Sequence, residues 1–197
     1  MSGDESILIV GAGPAGVAAA CGLAAAGRKV IACESAPAPG GVIFRGAGSG
    51  GVSVRSGHLK KRNKLRRELD RLSGSIDMRC STTFVGLDGD NVAVLDNGSK
   101  CEAIRPGAIV LATGAVETGR PVPGWHHPGV ITAGALQLGI KASGEPPAGD
   151  VLRAGNCPLL LAVASHLAAL GRPPVAVIDS GDTMAPGLSH FGLPPAY

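Results

Sequence analysis

The sequence predicts an α/β chain in which parallel strands alternate with helices, with an antiparallel insertion in its first part and a shorter α/β unit behind it. Three observations carry this reading. Residues 7–34 run without a break through an apolar strand pattern, a glycine turn, a small-residue helix and a second strand. Residues 75–110 hold short strand patterns separated by turn signals. From Val151 the strand–turn–helix–strand series begins again.

In the first series, Ile7 to Val10 are four consecutive apolar residues, the pattern of a strand buried on both faces. Gly11, Gly13 and Gly16 follow at G-x-G-x-x-G spacing. Val17 to Ala26 suit a helix of small side chains, Gly27 ends it, and Lys29 to Cys33 form the second strand. Such a unit is Rossmann-like and takes a dinucleotide. Gly11 permits the tight turn, Gly13 lets a pyrophosphate approach the backbone, and Gly16 brings the helix close to the strand. With Ala12, Pro14 and Ala15 these glycines open a helix whose free N–H groups and positive dipole end face the phosphates. Glu34 stands 18 residues after Gly16, where a carboxylate accepts hydrogen bonds from ribose hydroxyls, with Ser35 beside it. The alternative is a glycine-rich turn that binds nothing. Strand, glycines, helix, second strand and acid in one register argue against it.

Residues 35–57 are glycine-rich, and 58–73 read as a helix. Leu59, Leu65, Leu69 and Leu72 are its apolar stripe; its cationic run is either a solvated face or a docking surface for an acidic partner or phosphate. Ile76 to Val85 read as one strand region, followed by a turn at Asp88-Gly89-Asp90. A strand over Val92–Leu95, a hairpin signal at Asn97-Gly98, a return over Cys101–Ile104 and a buried strand at Ile109–Leu111 complete the insertion. Residues 119–150 are richer in Pro and Gly, with a helix over Thr132–Ala142. The second series places a strand at Val151-Leu152, a turn from Ala154 to Pro158, a helix over Leu159–Leu170 and a strand over Val175–Ile178. That helix is apolar on most sides and calls for burial on both faces, which favours a partner chain. Residues 181–197 show no periodicity. The expected division is a dinucleotide-binding domain over 1–120, a connector over 121–150 and a partial second Rossmann-like unit over 151–197.

Composition narrows the function. A net charge of +3 over 197 residues is too small to imply nucleic acid. Cys21, Cys33, Cys80, Cys101 and Cys157 include no C-x-x-C pair, so no metal or redox cluster is expected; buried, reduced thiols in a cytoplasmic protein are. The polar, acidic start does not read as a signal peptide, and the apolar run Pro158–Leu170 is too short for a transmembrane segment. Any membrane association is expected through partners. His126 and His127 adjoin in a loop and, as neighbours, are expected to point apart; His58, His166 and His190 read as structural. Cys157 at a helix start is either a dipole-activated thiol or an inert replacement. No catalytic triad stands out, so the catalytic residues stay unknown.

With Leu111-Ala112-Thr113-Gly114 the chain resembles flavoproteins with two dinucleotide-binding domains. The resemblance assigns the glycine turn to FAD pyrophosphate, Glu34 to the ribose, and Gly40, Gly41, Arg45, Val85, Thr113 and Gly114 to the rest of the cofactor wall. Pro121-Val-Pro-Gly-Trp-His-His-Pro-Gly and Ala154-Gly-Asn-Cys-Pro-Leu-Leu-Leu narrow it. Both are similar to segments in the FAD/NAD(P)-binding subunit of heteromeric amino-acid and opine dehydrogenases. That group includes the A-subunit of opine oxidase, the hydrogen cyanide synthase β subunit and the dye-linked proline dehydrogenase α subunit. The resemblance is to the N-terminal half of such a protein. It implies an FAD-dependent oxidoreductase subunit that relays electrons, with a separate flavoprotein subunit oxidising an amino acid, imino acid or opine. The alternative is a non-catalytic or structural subunit holding another adenine nucleotide, such as ATP or NAD(P). One departure bears on the second unit: Cys157 stands where the family has the glycine of closest phosphate approach, which weighs against a stand-alone NAD(P)H reductase. Gly181-Asp182 follows the wrong strand to serve as the family's flavin-side element.

Overall fold

The computed structural model describes residues 4–44, 56–119, 121–155 and 158–179. These fall into two compact units, one from 4–44 and 56–115 and one from 116–179. The first unit runs β1 (Asp4–Val10), α1 (Pro14–Ala25), β2 (Val30–Cys33), α2 (Gly41–Phe44), α3 (Ser56–Arg71), β3 (Ile76–Arg79), β4 (Thr83–Leu87), β5 (Ala93–Asp96), β6 (Cys101–Ile104) and β7 (Pro106–Leu111). Four of these strands make a parallel sheet in the order β3-β2-β1-β7, with Ile7 opposite Val30 and Ala108.

The apolar run of β1 is explained by cover on both faces. Side chains alternate along a strand. Ile9, Val30 and Ala32 meet Val17, Ala20, Cys21 and Ala24 of α1 and Leu65, Leu69 and Leu72 of the following helix and turn. Leu8, Val10, Ile31 and Cys33 go the other way, against Ala93 and Leu95 of β5 with Phe84 and Ile104. The antiparallel sheet β4-β5-β6 is therefore the second cover. Helix α1 stops as its Gly27 predicts: Gly27 is left-handed (φ +75°), its N–H donates to Ala24 O, and Arg28 N–H reaches back to Leu23 O at 3.0 Å. The side chain of Leu59 lies outside the described residues.

Two expectations change here. Ile76–Val85 is not one strand. It divides into β3, which extends the parallel sheet beside β2, and β4, which pairs antiparallel with β5. The break falls at Ser81, a non-glycine residue at φ +50° whose N–H donates to Ala36 O. The thiols also differ from one another. Cys21 and Cys33 are buried, and burial pushes both up in pKa, but Cys101 lies on the solvent side of β6 and is exposed.

The second unit holds α4 (Ala133–Ser143), β8 (Leu152–Gly155), α5 (Pro158–Ala169) and β9 (Ala176–Asp179). Thr132 caps α4, its hydroxyl accepting from Ala135 N–H at 3.3 Å, and left-handed Gly144 closes it. Strands β8 and β9 pair in parallel; β8 continues through Ala154 and Gly155, where the sequence predicts a turn. The α5 helix buries two faces. Val163 and Leu167 pack on Leu136 and Ile140 of α4, and Leu160 and Ala164 pack on Val177 of β9. Its cover comes from the chain itself, so its apolarity does not call for a partner. Leu152, Val175 and Ile178 are left half-exposed beside this core. Among the described residues no helix is long and apolar enough to cross a membrane.

Candidate functional site

The site is the turn between β1 and α1 with the loop that follows β2. Gly11 is left-handed (φ +94°), its N–H donates to Cys33 O at 2.8 Å, and a Cβ there would crowd the Ala112 carbonyl. A Cβ on Gly16 would overlap the Gly11 carbonyl oxygen. These two glycines are demanded by packing. Gly13 is different. It is the N-cap of α1 with ordinary dihedrals (φ −68°), and among the described residues a Cβ there would meet only Gly41 Cα, at 3.9 Å. With respect to those residues the space beside it is open. Pro14 occupies the first helical position, no side chain caps the helix, and its first turn carries no acid. The start of α1 is thus electropositive and undressed, as an anion site requires.

Glu34 closes the other side. It is only 9 % exposed. Its Oε2 accepts from Ala12 N–H at 2.9 Å, and its Oε1 from Ala36 N–H at 2.9 Å and Ser35 Oγ–H at 3.4 Å. Its own N–H donates to Arg79 O, and its carbonyl accepts from Thr82 N–H. A carboxylate offers about four acceptor positions. Glu34 therefore braces the glycine turn first and keeps little more than one lone pair for a ribose hydroxyl. The sequence shows the acid but not this second duty. The bond to Ala12 joins residues 22 apart in sequence, so no local signal announces it.

The loop after Glu34 returns to the turn. Gly40 N–H donates to Ala12 O at 2.8 Å, and Gly41, at φ +60°, approaches Gly13 so closely that a Cβ would not fit. The short helix α2 that starts at Gly41 has no counterpart in the sequence pattern. Thr113 and Gly114 follow β7, where Ala112 lies against Gly16 and its N–H donates to Val10 O. The structure thus brings together Gly11 to Gly16, Glu34, Ser35, Gly40 and Gly41, with Thr113 and Gly114 alongside. Val85 stands apart on β4. It is 63 % exposed and sits at a bulge, without an opposite residue on β5. Arg45 lies outside the described residues, as do Asn156, Cys157, His190 and Gly181-Asp182.

The remaining candidates resolve as follows. The His126 and His127 rings pair at 4.6 Å and do not diverge, because successive turns at Val122–Trp125 and Gly124–His127 coil the backbone under them. Neither His166 ring nitrogen has a hydrogen-bond partner; burial, with the Lys141 ammonium, holds its pKa below the usual histidine value. The side chain of His58 is outside the described residues. Among those residues no group of three or more His, Cys, Asp or Glu is placed to hold a metal ion.

A parallel sheet covered by helices on one face and an antiparallel sheet on the other, with an open glycine turn at the carboxyl end of its first strand, defines an α/β dinucleotide-binding domain of the FAD/NAD(P) type. The chain belongs to the pyridine nucleotide-disulphide oxidoreductase family, whose pattern matches residues 5–191. It is 41 % identical over 167 residues to hydrogen cyanide synthase subunit HcnB of Pseudomonas aeruginosa, covering 83 % of this chain and 36 % of that protein. It is 36 % identical over 193 residues to the A-subunit of opine oxidase from Agrobacterium tumefaciens strain Ach5, covering 93 % and 38 %. In fold it is similar to L-proline dehydrogenase from P. horikoshii, with a TM-score of 0.70 at 22 % identity, over 88 % of this chain and 35 % of that one. The chain spans a little over a third of the length of the curated relatives it matches. Its family is one of oxidoreductases, and membership implies FAD binding. The open cradle at Gly13 and the undressed start of α1 fit the pyrophosphate of that cofactor.

Proposed function

We propose that this chain is the FAD-holding portion of a subunit in a heteromeric dehydrogenase that oxidises an amino acid, imino acid or opine. The observation that carries the reading is Gly13: a glycine that packing does not require, facing open space at an uncapped helix start. Gly11 to Gly16 hold the pyrophosphate, and the last acceptor position of Glu34 takes a ribose hydroxyl. Gly40, Gly41, Thr113 and Gly114 line the wall. Val85 and Arg45 join the set on the resemblance alone. Bound FAD supplies the two-electron chemistry; the protein supplies binding and orientation. In this reading electrons are relayed here and the substrate is oxidised on another flavoprotein subunit. The relatives' own designation as subunits supports such partners. In this reading residues 1–120 form the cofactor domain, 121–150 a connector and 151–197 part of a second dinucleotide-binding unit. The location is cytoplasmic, with membrane contact only through partners.

One observation favours a second reading. The glycine turn and Glu34 suit the adenosine–pyrophosphate half of a dinucleotide, so another adenine nucleotide, such as ATP or NAD(P), fits the same turn. Native purification separates the two. An oxidised-flavin absorbance band at stoichiometric occupancy supports FAD and leads to dye-linked assays with amino acids and opines. A colourless protein whose released ligand is an adenine nucleotide by mass establishes the second reading instead.

A further inference from the structure

We propose that the solvent face of α3 is a docking surface for an acidic face of a partner protein. Lys60, Lys64, Arg67 and Arg71 recur at i, i+4, i+7 and i+11, and so share one stripe of the helix. At 1.5 Å per residue the stripe is about 16 Å long. All four residues are exposed, while Leu65, Leu69 and Leu72 face the core beneath α1. Lys61, Arg62 and Arg66 widen the positive field, against Glu68 and Asp70 alone in the same stretch. Among the described residues none of these cations forms an ion pair, whereas Arg79 pairs with Asp77 and Glu102.

A helix face that serves only solvent gains support from alternating charge at i, i+4. Along the stripe three successive steps, 60 to 64, 64 to 67 and 67 to 71, set like charges together, offset only in part by Glu68 and Asp70, which stand three or four residues from Lys64, Arg67 and Arg71. Such a face is complementary to an external anion. Nucleic acid is a poor match: α3 has no Phe, Tyr or Trp for stacking, and the chain's net charge is only +3. A lipid surface is a poor match too, because Leu65, Leu69 and Leu72 are committed to the core and none of them borders the stripe to enter a bilayer. An acidic protein face needs neither feature. No residue of the stripe belongs to the set assigned to the nucleotide turn, so this inference does not depend on FAD being the cofactor.

The test titrates the full chain with a fluorescent oligoglutamate peptide, with phosphatidylserine vesicles and with single-stranded DNA. The peptide is expected to bind, more weakly as salt rises, and Lys64→Glu with Arg67→Glu to lose roughly tenfold in affinity. Arg28→Glu with Lys100→Glu makes the same change in net charge elsewhere and is expected to lose less than about twofold. Circular dichroism checks folding; Lys64→Gln with Arg67→Gln replaces the reversal pair if that pair does not fold, with a smaller loss expected. The proposal is overturned if the control pair loses as much as the stripe pair, if the peptide does not bind, or if vesicles or DNA bind as tightly as the peptide.

Discussion

The chain writes the same strand–helix–strand sentence twice and covers it differently. In β1-α1-β2 the strands lie inside a four-stranded sheet closed by helices on one face and by β4-β5-β6 on the other. In β8-α5-β9 two strands are closed by α5 on one face, and Leu152 and Ile178 remain half-exposed. Isoleucines on the strand faces turned away from the helix show the contrast. Ile31 of β2 is 6 % exposed, and Ile178 of β9 is 52 % exposed. Local sequence grammar thus makes a βαβ unit, but the depth of its core depends on distant segments that supply the second cover.

Substitutions can break or sharpen this contrast. Gly16→Val is the most damaging, because its side chain must displace the Gly11 backbone; a loss of about 3 kcal/mol or more is expected in denaturant unfolding of the first unit. Ile31→Ala should cost about 2–5 kcal/mol as a cavity in a closed core, whereas Ile178→Ala should cost less than about 1 kcal/mol. Equal costs at the two sites would mean that β9 is as deeply covered as β2. The second unit should also respond to acid. His166 has its folded pKa lowered below 6.5, so its unfolded form binds the proton first. Its contribution to stability is full above about pH 6.5 and is lost as pH falls through the folded value. Amide exchange of α4 and α5 at pH 7.5 and 5.5 reads this, and His166→Leu should flatten the difference (the pH values sit about a unit on each side of the ordinary histidine value). The smallest effect tests α1 itself. Gly22 meets nothing within 4 Å, so Gly22→Ala should stabilise by about 0.5–1 kcal/mol in thermal unfolding.

How much of this was legible follows from the range of each interaction. β1, α1, β2 and their glycines are local: apolar run, turn and cap lie within 28 residues of sequence and appear where the pattern puts them. The change of sheet at Ser81 was not legible, because a left-handed serine carries no sequence signal and the pull comes from Ala36, 45 residues away. The brace made by Glu34 was half legible: its position near a ribose follows from spacing, but its bond to Ala12 follows from the folded loop. The closure of α5 by α4 likewise joins segments separated by residues 144–157, so an apolar helix read alone calls for a second chain that the fold does not need.

The account's central claim is that the open space at Gly13 receives a pyrophosphate. Gly13→Ala tests it most directly, since the added methyl meets only Gly41 Cα at 3.9 Å and the dihedrals suit alanine. Calorimetric titration of the full chain with FAD, beside thermal unfolding without it, gives both readouts. The account predicts an unfolding midpoint lowered only by the exchange of an N-cap glycine, about 0.5–1 kcal/mol, and an affinity for FAD at least roughly tenfold weaker, about 1.4 kcal/mol. A variant that binds FAD as tightly as the parent chain would contradict it.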